Sequence, residues 1–210
     1  MFPDSSGYHF GKAKSLSGLN KYEEAIDEYD KAISLDPDNA VFHNDKGNAL
    51  YNIGRYEEAL NEFDKAIKIN SNFSGYYFSK AKALNMLARY EEAIDEYDRA
   101  IRLEPNNSNY HFSKAMMLND IERYEETLNE LNITIKINPN SLNFYYNKVS
   151  ILNKLNKYDE GLQISNWLIK NNSSNAQYYK LEAEALSGLG RYAEALKVYD
   201  RAIQIDINNP

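Results

Sequence analysis

The sequence predicts an all-α protein built from six stacked helix pairs. Three observations carry that reading: a fixed 34-residue period, apolar residues at helical spacing in both halves of each period, and proline- or asparagine-rich breaks between periods. The period shows first in the nonapeptide YEEAIDEYD, which fills residues 22–30 and returns unchanged at 90–98. Related segments stand at 56–64 (YEEALNEFD), 124–132 (YEETLNELN), 158–166 (YDEGLQISN) and 192–200 (YAEALKVYD), with no insertion between copies. After an N-terminal tail, residues 1–5, the repeats span 6–39, 40–73, 74–107, 108–141, 142–175 and 176–209 as one domain, opening at Ser6, Ala40, Ser74, Ser108, Leu142 and Ala176.

Each unit reads as helix, turn, helix. The first helix places Tyr8, Ala13 and Leu16, or Tyr76, Ala81 and Leu84, on one face. A break such as SGLNK or YNIGR follows. The second helix carries Tyr22, Ala25, Ile26, Tyr29, Ala32 and Ile33 at i, i+3, i+4, i+7 spacing. It ends at DPDN, EPNN or NPNS, where proline lacks a donor and pushes the preceding residue out of the helical region. Alanines recur at two places, residues 25, 59, 93 and 195, then 32, 66, 100 and 202, so that neighbouring helices can approach closely. One pair cannot bury its own apolar face, whereas stacked pairs share a continuous core. Twelve antiparallel helices are expected.

Composition removes several functions. No stretch approaches the ~20 apolar residues needed to cross a bilayer. The opening MFPDSSGYHF lacks a basic segment followed by an apolar one, so no secretory signal is expected. The absence of cysteine excludes disulfides, thiolate catalysis and Cys-ligated zinc, and agrees with a reducing, cytoplasmic location. A net charge of −7 weighs against nucleic acid, whose phosphates call for a basic face. Phosphate-loop, nucleophile-elbow and dinucleotide signatures are missing, so neither enzymatic activity nor a cofactor is expected.

The motif Ala25-x₃-Tyr29, Ala32, Pro37 recurs as Ala59-x₃-Phe63, Ala66 and as Ala93-x₃-Tyr97, Ala100, Pro105. This pattern resembles the tetratricopeptide repeat. The resemblance covers residues 6–209 and implies a right-handed superhelix, an α-α solenoid whose first helices line a concave groove. There are departures. Lysine replaces the usual leucine before the small residue of the first helix in five repeats, from Lys12 to Lys148. Thr127 and Gly161 replace the first alanine, and Thr134 and Leu168 the second.

What the resemblance implies for function is a groove that holds a protein or an extended peptide. Its candidate residues are Phe10, Asn44, Phe78, Phe112, Tyr146 and Lys180 at the fifth place of each repeat. At the ninth they are Asn48, Lys82 and Met116, with Lys14 beside them, and at the twelfth Tyr51, Asn85, Asn119 and Asn153. Exposed aromatics suit a binding surface, and asparagine amides can pair with a peptide backbone. The lysine–asparagine clamp that grips chaperone tails in some family members is not matched, since its places hold Phe10, Lys14, Asp45, Gly75 and Ser79.

His9, His43 and His111 stand where other repeats carry tyrosine, and are expected to pack rather than bind zinc. The acidic run Glu23, Glu24, Asp27, Glu28 and its counterparts are expected on a solvated outer face, with i, i+3 pairs such as Glu28–Lys31. Trp167 is expected to fill space left by Gly161 and Ser165. The array closes on AIQIDINNP without a polar capping helix, which points to an excised piece of a longer array or to end-to-end homo-association. The alternatives to a peptide-binding scaffold are a substrate-presenting segment of a larger enzyme, such as a glycosyltransferase, and a self-assembling array.

Overall fold

A computed structural model describes residues 5–208. Twelve α-helices follow one another: α1 (Ser6–Gly18), α2 (Tyr22–Leu35), α3 (Ala40–Asn52), α4 (Tyr56–Ile69), α5 (Ser74–Met86), α6 (Tyr90–Leu103), α7 (Ser108–Asp120), α8 (Tyr124–Ile137), α9 (Leu142–Lys154), α10 (Tyr158–Asn171), α11 (Ala176–Gly188) and α12 (Tyr192–Asn208). Among the described residues there is no strand, and no helix is long and apolar enough to cross a membrane. The chain divides between Asn106 and Asn107 into two compact units, α1–α6 and α7–α12. Within each unit every odd helix packs on the even helix that follows it, and successive pairs stack.

The turn inside each pair is built the same way six times. Its second residue takes the left-handed conformation, with φ of 59° at Asn20, 80° at Gly54, 57° at Ala88, 61° at Glu122, 58° at Asn156 and 75° at Gly190. The next amide then closes the helix end, as Lys21 N donates to Leu16 O at 2.9 Å and Arg89 N to Leu84 O at 3.0 Å. Ala88 and Glu122 hold this shape with a β-carbon, at a cost of about 1 kcal/mol each. Asn39, Asn107 and Asn175 start α3, α7 and α11 by accepting from the amide two residues on, at 3.2, 3.1 and 3.0 Å.

Small residues set the spacing between helices. Ala13, Ala25, Ala32, Ala59 and Ala66 are fully buried. Gly47 is required by a close approach: a β-carbon there would stand 2.6 Å from the Phe63 ring. The threonines that replace alanine, Thr127 and Thr134, are fully buried as well. Their hydroxyls donate back to Arg123 O at 2.9 Å and Glu130 O at 2.8 Å, so neither is left unsatisfied.

The acidic runs depart from the expected solvated face. Glu23, Glu24 and Asp27 are exposed, but Glu28, Glu62, Glu96 and Glu130 are buried. The physical reason lies across the pair, on the first helix. Glu28 accepts from His9 Nδ1 at 2.6 Å, Lys12 Nζ at 2.8 Å and Lys31 Nζ at 2.9 Å. Glu62 accepts from His43 Nδ1 at 2.6 Å, Lys65 Nζ at 2.9 Å and Lys46 Nζ at 3.3 Å. Lys46 also reaches back to Asp30 at 2.6 Å, and Lys80 joins Asp64 at 2.7 Å to Glu96 at 3.0 Å. Four of the five lysines that depart from the family pattern, Lys12, Lys46, Lys80 and Lys114, thus each pair with a buried glutamate. Their stems cover apolar surface while their heads hold carboxylates.

The histidines do more than pack. His43 and His111 are buried, and each meets a carboxylate, Glu62 at 2.6 Å and Glu130 at 2.7 Å. His43 Nε2 also faces the Pro37 carbonyl at 3.1 Å. Tyr77 and Tyr179 use their hydroxyls for the same tie, donating to Ser71 O and Ser173 O at 3.1 Å each. Trp167 packs on Tyr145 in a tilted arrangement, with ring centroids 4.5 Å apart. The space at Gly161 is taken instead by the Asn153 side chain, whose carbonyl oxygen would stand 2.6 Å from an added β-carbon.

Candidate functional site

The odd-numbered helices carry every candidate residue, and each unit presents its own stretch of them. In the first unit, Phe10, Asn44, Phe78, Asn48, Tyr51 and Asn85 are half-buried, whereas Lys14 and Lys82 are exposed. The aromatic side chains are therefore not bare. Phe10 packs on Phe42 at 4.7 Å and on Tyr29 at 6.0 Å, and Phe78 on Tyr97 at 5.9 Å. Cations cover their outer faces: Lys14 Nζ lies 5.5 Å from the Phe10 centroid, and Lys82 Nζ lies 4.8 Å from Tyr51 and 5.9 Å from Phe78.

Between α1, α2 and α3 the surface sinks into a cavity of about 200 Å³ lined by Lys14, Ser17, Tyr22, Tyr29, Asp45, Asn48, Ala49 and Asn52. Burial pushes the Asp45 carboxyl above its ordinary range, against the pull of the Asn44 amide and the Lys14 charge. Asn44 Nδ2 donates to Asp45 at 3.1 Å, while its own carbonyl oxygen is buried without a hydrogen-bond partner. A cation, a carboxyl and two amides converge here. That set can accept and donate along a polar main chain.

In the second unit, Phe112, Met116, Asn119, Tyr146 and Asn153 are half-buried and Lys180 is exposed. Phe112 packs on Phe144 at 4.9 Å, Tyr146 on Tyr178 at 6.1 Å, and Lys180 lies 3.8 Å from Glu184. The asparagine row is not uniform. Asn119 accepts from Lys154 at 2.8 Å, but Asn153 turns inward to donate to Leu181 O at 3.1 Å. A second cavity, about 310 Å³, is lined by Asn143, Tyr146, Asn175, Gln177 and Tyr178.

Several lining residues lie outside the expected columns. Asp45 stands one place after a column residue, and Lys154 stands at the end of its helix, 4.8 Å over the Tyr124 ring. Neighbouring repeats would have flagged Asp45, since glycine, serine or asparagine stands there in the first, third, fourth and fifth units.

Family profiles described as TPR repeat or tetratricopeptide repeat match residues 18–54, 40–73, 74–107 and 146–210. No curated protein matches the chain in sequence. Many solved structures share its fold. YrrB, described as a TPR protein with an unusual peptide-binding site, superposes with a TM-score of 0.73 at 21% identity, over 86% of this chain and 93% of that one. A tetratricopeptide repeat protein from Parabacteroides merdae gives 0.78 at 16% identity, over 95% and 79%. A segment of MamA from Desulfovibrio magneticus RS-1 gives 0.72 at 14% identity, over 81% and 96%.

Proposed function

The chain belongs to the tetratricopeptide-repeat family, and on that premise we propose that it is a non-enzymatic scaffold that binds an extended peptide along its odd-numbered helices. The observation that carries this reading is the cavity beside α1 and α3, where Lys14, Asp45, Asn48 and Asn52 converge without a role in the core. Asn48 and Asn85 offer a donor and an acceptor each to a peptide backbone. Lys14 and Lys82 offer exposed cations to its carbonyls or carboxylates, and the edges of Phe10 and Phe78 give apolar contact. In the second unit, Phe112, Met116, Asn119 and Tyr146 have the same character. Residues held on packed helices lose little freedom on binding, which favours affinity. YrrB, with a peptide-binding site on the same fold, supports the reading.

The test is a displayed peptide library panned against the chain, followed by Lys14→Ala with Asn48→Ala. Both positions lie outside the core, whereas truncating Phe78 or Phe112 would also remove ring contacts. Selected peptides are expected to bind the double variant at least about tenfold more weakly, a loss of ~1.4 kcal/mol. Peptides that bind the folded variant unchanged would place the site elsewhere.

A further inference from the structure

The two ends of the repeat series carry the two halves of one interface. Within each unit, the first helix of a repeat covers the second helix of the repeat before it, using the same places each time. The third residue is an aromatic that sinks against the preceding pair: Tyr76 clusters with Ala66, and Tyr178 with Leu168. The fourteenth packs near the start of the preceding helix, as Leu155 does with the cluster holding Leu128, Leu131 and Tyr124. In the first unit the seventh, lysine, takes an aspartate of the preceding repeat, Lys46 to Asp30 at 2.6 Å and Lys80 to Asp64 at 2.7 Å.

Helix α12 presents the receiving half uncovered. Leu196 is 66% exposed, where its counterpart Leu60 is 5%. Tyr192, Ile203 and Asp200 lie exposed on the same helix. Helix α1 presents the inserting half uncovered: Tyr8 is 73% exposed, where its counterpart Tyr76 is 4%, and Leu19 is exposed too. The Lys12 side chain is 63% exposed against 16% for Lys46, because Lys12 holds only the carboxylate of its own repeat.

We propose that the exposed face of α12 is a docking site for α1 of a second copy of this chain. Tyr8 of the incoming copy then settles against Ala202 as Tyr76 does against Ala66. Leu19 lies beside Tyr192 and Leu196, and Lys12 reaches Asp200 while keeping Glu28. Ser15 stands where Ala49 and Ala83 stand inside the array, and is small enough for the same approach. Apolar pattern and charge both fit in one register, the one used at the junctions of the first unit. The contact joins two different faces, so each added copy offers the same vacant face again.

Two single variants test this. Leu196→Glu spoils the receiving face and leaves α1 intact, whereas Tyr8→Glu does the reverse. Both residues are exposed, and helicity by circular dichroism checks that each variant folds; Leu19→Glu replaces Tyr8→Glu if it does not. In sedimentation equilibrium, the unmodified chain is expected to gain mass with concentration, and each variant alone to stay at 24.2 kDa. An equimolar mixture of the two is expected to form a species of twice the chain mass, through the one pair of faces left intact. A strict monomer at hundreds of micromolar overturns the proposal. So does a Tyr8→Glu chain that associates as the unmodified one does, since that would mean α12 pairs with α12 or with another surface. A mixture that stays monomeric overturns it as well.

Discussion

Repeats two and five share a backbone and differ in what holds their helices together. Repeat two ties α3 to α4 through a buried carboxylate, Glu62 on α4, which takes His43 and Lys46 from α3 and the exposed Lys65 from its own helix. At the same places repeat five carries Tyr145, Lys148, Ile164 and Trp167. Tyr145 packs on Trp167, Ile164 joins the cluster of Val149, Leu168, Tyr178 and Leu181, and Lys148 turns to Glu160 at 3.2 Å. The lesson is that the repeat specifies a spacing between helices, not a chemistry for filling it. Ions and apolar groups of similar volume serve equally, provided that each ion keeps its partners.

The largest expected effect comes from removing one partner. Glu62→Leu takes the carboxylate from the buried His43 ring and leaves Lys46 with Asp30 alone, and is expected to cost about 3 kcal/mol in urea unfolding. The matched change in repeat five, Ile164→Leu, should cost under about 1.5 kcal/mol. Converting repeat two to the repeat-five set, with His43→Tyr, Glu62→Ile and Lys65→Trp together, should recover most of the loss. A triple variant as unstable as Glu62→Leu alone would show that the chemistries are not interchangeable.

Next in size is Gly47→Ala, expected to cost about 2 kcal/mol because the Phe63 ring cannot yield without shifting the core. Thermal unfolding measures it directly.

Acid separates the repeats by sign. Hydrogen bonds from Lys12, His9 and Lys31 hold the Glu28 carboxyl down, from the ordinary 4.5 to about 2. Burial raises the Glu62 carboxyl, but His43, Lys65 and Lys46 outweigh it and keep it below the ordinary value. Both acids therefore contribute their full stability above the ordinary carboxylate range and lose it as pH falls below that range, Glu28 as the pH approaches about 2. In repeat six, Glu182 stands where the lysines stand elsewhere, and burial raises its carboxyl despite Arg191. Its sign is opposite: the cost is present at neutral pH and disappears as pH falls through the raised value. Glu182→Gln should stabilise the chain at pH 7 by about 0.5–1 kcal/mol and flatten this part of the pH profile. No gain at pH 7 would contradict the assignment.

The smallest effect is expected at Gly161→Ala. The new β-carbon meets the end of the Asn153 side chain, which can swing away, and the gain in helix propensity of about 1 kcal/mol offsets the lost bond to Leu181 O. Stability should change by less than about 0.5 kcal/mol. The Asn153 amide should then point outward, visible as a change in its side-chain NMR resonance.

The helices and their starts were legible because they rest on local spacing: 3.6-residue periodicity, punctuated by Pro37, Pro105 and Pro139 and repeated six times. The buried carboxylates were not, because Glu28 meets Lys12 and His9 only after two helices, 16 and 19 residues apart, have been packed together. A trace of the coupling stands in the repeats themselves. The repeats with His9, His43 and His111 all carry glutamate 19 residues on, and where that place becomes Ile164 or Val198 the histidine is tyrosine. The columns of the candidate site were readable from the period, but their condition was not. Lys82 covering Tyr51 and Asn153 turning in toward Gly161 depend on neighbours from other helices.

By itself, then, the sequence determined the period, the helix pairs, the small-residue contacts and the apolar character of both terminal helices, all set within a few residues of chain. Only the tertiary structure decided which charges are buried, which rings stay accessible and which amides are already engaged. A side chain's surroundings are set by what another helix brings within hydrogen-bonding or van der Waals reach, and local spacing does not encode that distance.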